Sequence, residues 1–194
     1  MYDNPDTTIP EGRYHDQLAA VLIDEDTLQK RVKELAKNVS EKYRDEESVL
    51  LIGVLKGAVF FMTDFARAME IPCQMEFMAV SSYGNSSSSS GVVRILKDLD
   101  RDIEGKRVII VEDIIDSGLT LSWLLKNLKN RNPKSLDVVA LLRKPEAVKA
   151  KIDLLDLGFD IPNEFVVGYG LDFAEMGRDL PFVASLKPEV YSGH

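Results

Sequence analysis

The chain has 194 residues, 45% of them apolar and 29% charged. That is a globular composition and excludes wholesale disorder. With 32 acidic and 24 basic residues the formal net charge is −8, which argues against a non-specific grip on nucleic acid or an anionic membrane. One cysteine, Cys73, and two histidines, His15 and His194, exclude an intrachain disulfide framework and a structural zinc site of the usual kind.

Residues 1–17 are polar, carry Pro5, Pro10 and Gly12, and read as a mobile leader. They lack the basic start and apolar stretch of a signal peptide. No run of about 20 apolar residues follows, so no membrane span is expected and the reducing cytoplasm is the expected compartment. Asp24 can cap a helix in which Leu28, Val32, Leu35 and Val39 share one face, ending near Tyr43. The unbroken apolar run 49–55 suits a strand buried on both faces, and Lys56-Gly57 breaks it. Residues 58–69 read as a helix with Phe61, Phe65 and Met69 on one side, and 74–82 as a strand. Tyr83 to Gly91, YGNSSSSSG, cannot build a core; it is either an idle hairpin tip or a lid over a site. Strands follow at 92–96 and 107–111, then a helix with Leu121, Leu124, Leu125 and Leu128 inward, closed by Pro133. Further strands are expected at 138–142, 152–157 and 165–169. This strand–helix–strand rhythm predicts an α/β fold, a mostly parallel twisted sheet flanked by helices, whose strand ends line a common crevice.

The informative segment is VIIVEDIIDSGLT, 108–120. A buried strand delivers the adjacent carboxylates Glu112 and Asp113, and a short loop holding Asp116, Ser117, Gly118 and Thr120 runs into a helix. Free backbone N–H groups at a helix start, with small residues and hydroxyls around them, suit a phosphate. The competing reading is a plain helix capped by Asp116 or Ser117. Three acids within five positions make a costly cap, because like charges repel. There is no GxxxxGK[ST], no GxGxxG and no GxSxG, and Gly168-Tyr169-Gly170 is a lone GxG without meaning by itself. A phosphate site beside acids able to hold a diol points to a ribose phosphate.

With LKGAVFF, SSYGNSSSSSGVV, VIIVEDIIDSGLTL, LLRKP and FVVGYGLD followed by RDL in this order, residues 20–187 resemble the bacterial hypoxanthine-guanine phosphoribosyltransferases. The resemblance implies a type I phosphoribosyltransferase-like fold: one domain, 18–194, with a small hood formed from N- and C-terminal segments and a lid at 83–91 opened by Ser82 and Tyr83. It implies Mg²⁺-dependent transfer of phosphoribosyl from 5-phosphoribosyl-1-pyrophosphate (PRPP) to N9 of hypoxanthine or guanine. Glu112 and Asp113 then hold the ribose hydroxyls and Mg²⁺, with Asp172 as a further metal ligand near the base. Asp116 is the general base and acid facing purine N7. Ser117, Gly118, Leu119 and Thr120 cradle the 5′-phosphate; Leu119 replaces the Lys of some relatives and serves through its backbone. Lys56 and Gly57 form the pyrophosphate loop, where the peptide before Lys56 can be cis, and Arg178 is its second group. Ile114, Lys144, Phe165, Val166 and Asp172 form the purine pocket, with Lys144 donating to the 6-oxo group and Phe165 stacking on the base.

The partners implied are PRPP and a 6-oxopurine, without nucleic acid or membrane, in a homodimer or homotetramer. Phe60, Phe61 and Phe65 could serve a core or an interface. Alternatives are a phosphoribosyltransferase for another base, xanthine above all, and a non-enzymatic PRPP-sensing regulator that binds RNA. A purely structural domain has no use for a serine-rich loop beside an acid-rich strand end.

Overall fold

A computed structural model of the protein describes residues 9–83 and 92–192. In chain order it contains β1 (Leu18–Ile23), α1 (Glu25–Lys42), β2 (Val49–Leu55), α2 (Val59–Ala68), β3 (Cys73–Tyr83), β4 (Val92–Lys97) and β5 (Arg107–Ile115). Then come α3 (Leu119–Lys129), β6 (Ser135–Arg143), β7 (Asp156–Asp160), β8 (Val166–Val167), β9 (Val183–Leu186) and α4 (Pro188–Tyr191).

Six strands form the main sheet in the order β4-β3-β2-β5-β6-β7. All neighbours are parallel except β3 and β4, which form an antiparallel hairpin. The unbroken apolar runs have a simple cause: the sheet is covered on both faces. On β2 and β5, Val49, Leu51, Ile109 and Val111 face one core with α1 and α2. Their neighbours Leu50, Ile52, Val108 and Ile110 face a second core with α3. Period-2 alternation thus serves two apolar layers instead of one apolar and one wet face. The chain passes from β2 outward to β3, then returns to the other side of β2 as β5. Strand order reverses there, and the crevice beyond the C-terminal ends of such a pair is where open α/β sheets bind ligands.

Helix α1 follows its expected pattern. The Asp24 carboxylate accepts from Thr27 N at 2.8 Å, and Leu28, Val32, Leu35 and Val39 are buried. Phe61 and Phe65 belong to the core, while Phe60 is 43% exposed. Among the described residues no helix is long and apolar enough to cross a membrane.

A second, three-stranded sheet, β1-β9-β8, forms the hood. Its inner residues, among them Ile23, Val166 and Val183, join the main core. Its outer face carries Leu18, Val21, Val167, Phe182, Ala184 and Leu186, covered by Ile9, Tyr14, Phe173, Val190 and Tyr191. The described part of the leader is therefore laid on the hood, with Arg13 paired to Asp179 at 2.7 Å and a 3-10 turn at His15–Gln17.

Strand β9 and the short α4 were not among the expected elements, and three further details differ from expectation. Strand β1 was not expected, because LAAVLI runs directly into the Asp24 cap signal. The strand expected at 152–157 lies at Asp156–Asp160, and it includes Gly158, where a Cβ would come within 2.3 Å of the Leu141 carbonyl oxygen. That close approach admits only glycine. The strand expected at 165–169 stops at Val167, because Gly168, Tyr169 and Gly170 take φ values of 103°, 49° and 102°.

Candidate active site

The crevice at the β2–β5 switch is built by close approach of three backbone segments. The Leu55–Lys56 peptide is cis. A Cβ on Gly57 would lie 1.6 Å from Asp113 Oδ2, so the carboxylate sits directly on the loop after β2. A Cβ on Gly170 would lie 2.0 Å from the Gly57 carbonyl oxygen, and Gly170 has φ 102°. The GxG that meant nothing by itself thus backs the Lys56-Gly57 loop from the hood side. Tyr169 holds that turn down: its hydroxyl donates to Asp64 Oδ2 on α2 at 2.7 Å, and Gln29 of α1 donates to the same oxygen at 2.9 Å. Burial and the Asp64 carboxylate push the Tyr169 phenol well up, so it remains a donor. Gly170→Ala should lower Tm by about 4–8 °C, for roughly 2 kcal/mol of strain at a conformation closed to L side chains. Calorimetry of the variant beside the parent checks this, and an unchanged Tm would remove the packing role.

The acid pair at the end of β5 is half-buried. Burial, then repulsion from Asp113, raises Glu112 well above the usual carboxylate range. Its Oε2 is buried and has no hydrogen-bond partner among the described residues. Asp113 is pushed up to about 6 by burial and Asp172, against the opposing pull of Ile114 N–H and Arg178. A carboxyl that binds its proton more tightly folded than unfolded makes the native state lose stability as pH rises from about 4 to 6 and beyond. Glu112→Gln should therefore raise the Tm of the free protein at pH 8 by about 2–4 °C and change it little at pH 5. Thermal melts at the two pH values test the sign; an equal gain at both would refute the electrostatic origin.

Arg178 lies beside this pair. It donates to Gly170 O at 2.8 Å and pairs with Asp172 at 2.8 Å and Glu175 at 3.3 Å. Its buried Nε has no hydrogen-bond partner among the described residues. Asp172 also accepts Glu175 N at 2.8 Å. Lys56 Nζ meets Glu175 Oε2 at 2.6 Å on the surface. Glu175 thus belongs to the site, as do Tyr169 and Asp64. No sequence motif singled out these three; only the GYG glycines gave a trace.

The loop after β5 is not a side-chain-capped helix start. The N-cap of α3 is Gly118, at φ 73°, with no side-chain cap. Ser117 Oγ accepts Leu119 N at a long 3.4 Å, and Ser117 O is held by Lys149 N and Ala150 N at 2.9 and 3.2 Å. A cavity of about 230 Å³ is lined by Glu112, Asp113, Ile114, Asp116, Ser117, Gly118 and Thr120, among others. Leu119 points outward. Lys144, only 8% exposed at the end of β6, donates its backbone N–H to Ile115 O at 2.9 Å. Its ammonium reaches Asp116 Oδ2 at 3.3 Å.

In the hood, Val166 is buried by its side chain, while Phe165 is 37% exposed. Ser82 and Tyr83 pair through their backbones with Val93 and Val92 at the end of the β3–β4 hairpin. The rest of the expected lid, 84–91, lies outside the described residues, as do residues 1–8 of the leader.

The family model described as phosphoribosyl transferase domain matches residues 23–174. The hypoxanthine-guanine phosphoribosyltransferase of Mycobacterium avium is 57% identical over 187 residues, covering 94% of this chain and 92% of that protein. The chain belongs to the hypoxanthine-guanine phosphoribosyltransferase family. Within this family, the Dictyostelium discoideum protein is 48% identical over 88% of this chain and 97% of its own. The crystal structure of a hypoxanthine phosphoribosyltransferase from Staphylococcus aureus superposes with a TM-score of 0.90 at 41% identity, covering 95% of this chain and all (100%) of that one. The type I phosphoribosyltransferase fold expected from the family's motifs is the fold observed.

Proposed function

We propose that the chain transfers phosphoribosyl from PRPP to N9 of hypoxanthine or guanine, giving IMP or GMP and pyrophosphate. The observation that carries this reading is the meeting of Lys144 and Asp116 beside the uncapped start of α3. A buried cationic donor, a carboxylate and a phosphate-sized cavity lie within a few residues of one another at two strand ends. Lys144 gives a 6-oxo group a charged hydrogen bond; an adenine amine leaves that donor unpaired, which disfavours adenine. Asp116 faces the base, ready to hold the N7 proton or to steady positive charge developing on the sugar. Ser117 to Thr120 receive the 5′-phosphate through backbone N–H groups, Leu119 included. Lys56, Gly57 and Arg178 receive the pyrophosphate. Phe165 stacks on the purine, with Ile114, Val166 and Asp172 completing the pocket, and Ser82 and Tyr83 begin the lid that excludes water from the oxocarbenium-like transition state.

The family needs a divalent cation, and we assign it as Mg²⁺. The orphaned Glu112 Oε2 and the acid pair it belongs to suit a hard cation with oxygen ligands. Among the described residues no three such side chains converge on one point, so Glu112 and Asp113 would hold the ion with substrate oxygens and water, and Asp172 would be a further ligand near the base. When bound, the ion offsets the charge of the pyrophosphate leaving group. The assembly proposed is a homodimer or homotetramer, and the compartment is the cytoplasm, in keeping with the free thiol of Cys73.

An assay with PRPP and hypoxanthine, guanine, xanthine or adenine in turn, with and without Mg²⁺, tests the reading. Product with hypoxanthine and guanine, dependent on Mg²⁺ and nearly absent with adenine, is expected. Xanthine as the preferred base would favour the second reading of the pocket, since Lys144 serves its 6-oxo group equally. No turnover with any base would overturn an enzymatic role.

A further inference from the structure

Phe165 carries the base in the function proposed above, and it is the last residue before a two-residue strand. Three contacts with described residues help to hold it. Its carbonyl oxygen accepts Leu186 N at 2.9 Å, from the end of β9. Its ring meets Phe173 edge-on, with centroids 5.5 Å apart and planes at 88°. The ring of Tyr191 lies nearly parallel to it, with centroids 5.2 Å apart and planes at 25°.

Tyr191 is placed by design of the local chain. Leaving β9, the chain is pinned at Lys187, whose N–H donates to Gln17 O and whose ammonium donates to Asp16 O, both at 2.9 Å. Pro188 then opens α4, a single turn closed by Val190 N to Lys187 O and Ser192 N to Pro188 O, both at 3.0 Å. That turn returns Tyr191 to the strand it has just left. Tyr191, Val190 and Phe173 cover the outer face of the hood, against Leu186, Phe182 and Val167. Val166, the next residue, packs into the main core on the opposite face of the hood. Phe165 is thus enclosed by rings on the outside and remains 37% exposed.

We infer that Tyr191 is a positioning residue for base binding. It backs the outer face of Phe165 and, with Phe173 at the edge, fixes the plane on which the 6-oxopurine stacks. The inference rests on Phe165 being the stacking ring. A backing ring limits rotation of Phe165 before the base arrives, and so lowers the ordering cost of binding. Aromatic pairs contribute roughly the equivalent of a 2- to 12-fold change in a binding constant beyond simple burial. The effect should fall on the base alone, because the PRPP groups lie on the strand ends and on Arg178.

The test compares Tyr191→Ala, Tyr191→Phe and Phe165→Ala in the full chain. Readouts are KM for hypoxanthine, kcat, the PRPP dissociation constant without base, and Tm. Tyr191→Ala should raise KM for hypoxanthine about 2- to 12-fold, with kcat and PRPP affinity within about twofold. Tyr191→Phe should restore KM, because the phenol hydroxyl has no part in the stack. If Phe165→Ala raises KM and Tyr191→Ala does not, the inference fails. A lower KM in Tyr191→Ala would also overturn it, by showing that Tyr191 occupies the base's face and competes with it. Loss of PRPP affinity in step with KM would reveal a general loosening of the hood and refute a specific role. If Phe165→Ala itself leaves KM unchanged, the stacking assignment has failed, and that outcome is separate from failure of the backing role.

Discussion

Asp116→Asn should lower turnover with hypoxanthine by about 10²-fold or more, while PRPP affinity moves by less than about threefold. The substitution keeps size and most hydrogen-bonding capacity; it removes the charge and the proton acceptor. The side chain is 59% exposed and meets the Lys144 ammonium at 3.3 Å, so no core contact is lost, and the asparagine oxygen keeps an acceptor for that ammonium. The ribose and phosphate contacts proposed above reside on Glu112, Asp113 and Ser117 to Thr120, which the change leaves in place. Steady-state kinetics beside PRPP titration calorimetry separates the two effects. Near-normal turnover would remove Asp116 from the chemistry; an equal collapse of PRPP affinity would make it a ribose ligand instead.

Lys144→Gln should weaken use of hypoxanthine and guanine by about 10- to 150-fold, the worth of a charged hydrogen bond of roughly 1.5–3 kcal/mol in a closed site. PRPP binding measured without a base should move by less than about threefold. The ratio of hypoxanthine to adenine use should narrow, because the unpaired-donor penalty against adenine has gone. The ammonium is nearly buried and its partner in the free protein is Asp116. An incoming 6-oxo group therefore has to compete with, or share, that carboxylate, and glutamine offers a neutral donor of shorter reach. Kinetics on the three bases decides the matter: an unchanged hypoxanthine-to-adenine ratio would make Lys144 merely the counter-ion of Asp116.

What the sequence disclosed about this site was its local part. In VIIVEDIIDSGLT, strand, acids and phosphate loop are consecutive, and period-2 burial followed by a helix start can be read without knowing any distant contact. The β2 run was legible for the same reason. The hood was not. Strand β1 pairs with β9 across Leu18↔Leu186, a separation that no local window spans, and its apolar residues merge with the helix signal that follows. Strand β7 was misplaced because DLGFD is polar at an edge, and its glycine, ordinarily a mark against a strand, is there for contact with Leu141. Tyr169, Asp64, Glu175 and Tyr191 escaped notice because each gains its role from a partner far away in sequence or, for Tyr191, from a turn at the end of the chain. The glycines of GYG carried real information, namely that two backbones touch, but a lone GxG does not say which two.

The Lys56–Glu175–Arg178 chain of charges has a consequence for the end of the catalytic cycle. Both cations proposed to receive pyrophosphate are already paired in the structure: Glu175 spans them at 2.6 and 3.3 Å. Lys56, foremost, draws the Glu175 carboxyl below its usual range, so it stays anionic into mildly acid conditions. Departure of the diphosphate is then an ion exchange, not the exposure of two bare positive charges. The protein carries its own weak mimic of the leaving group, tethered at the rim of the crevice. It is always at hand to take the vacated place, and being a monoanion it is readily displaced by the next polyanion to arrive.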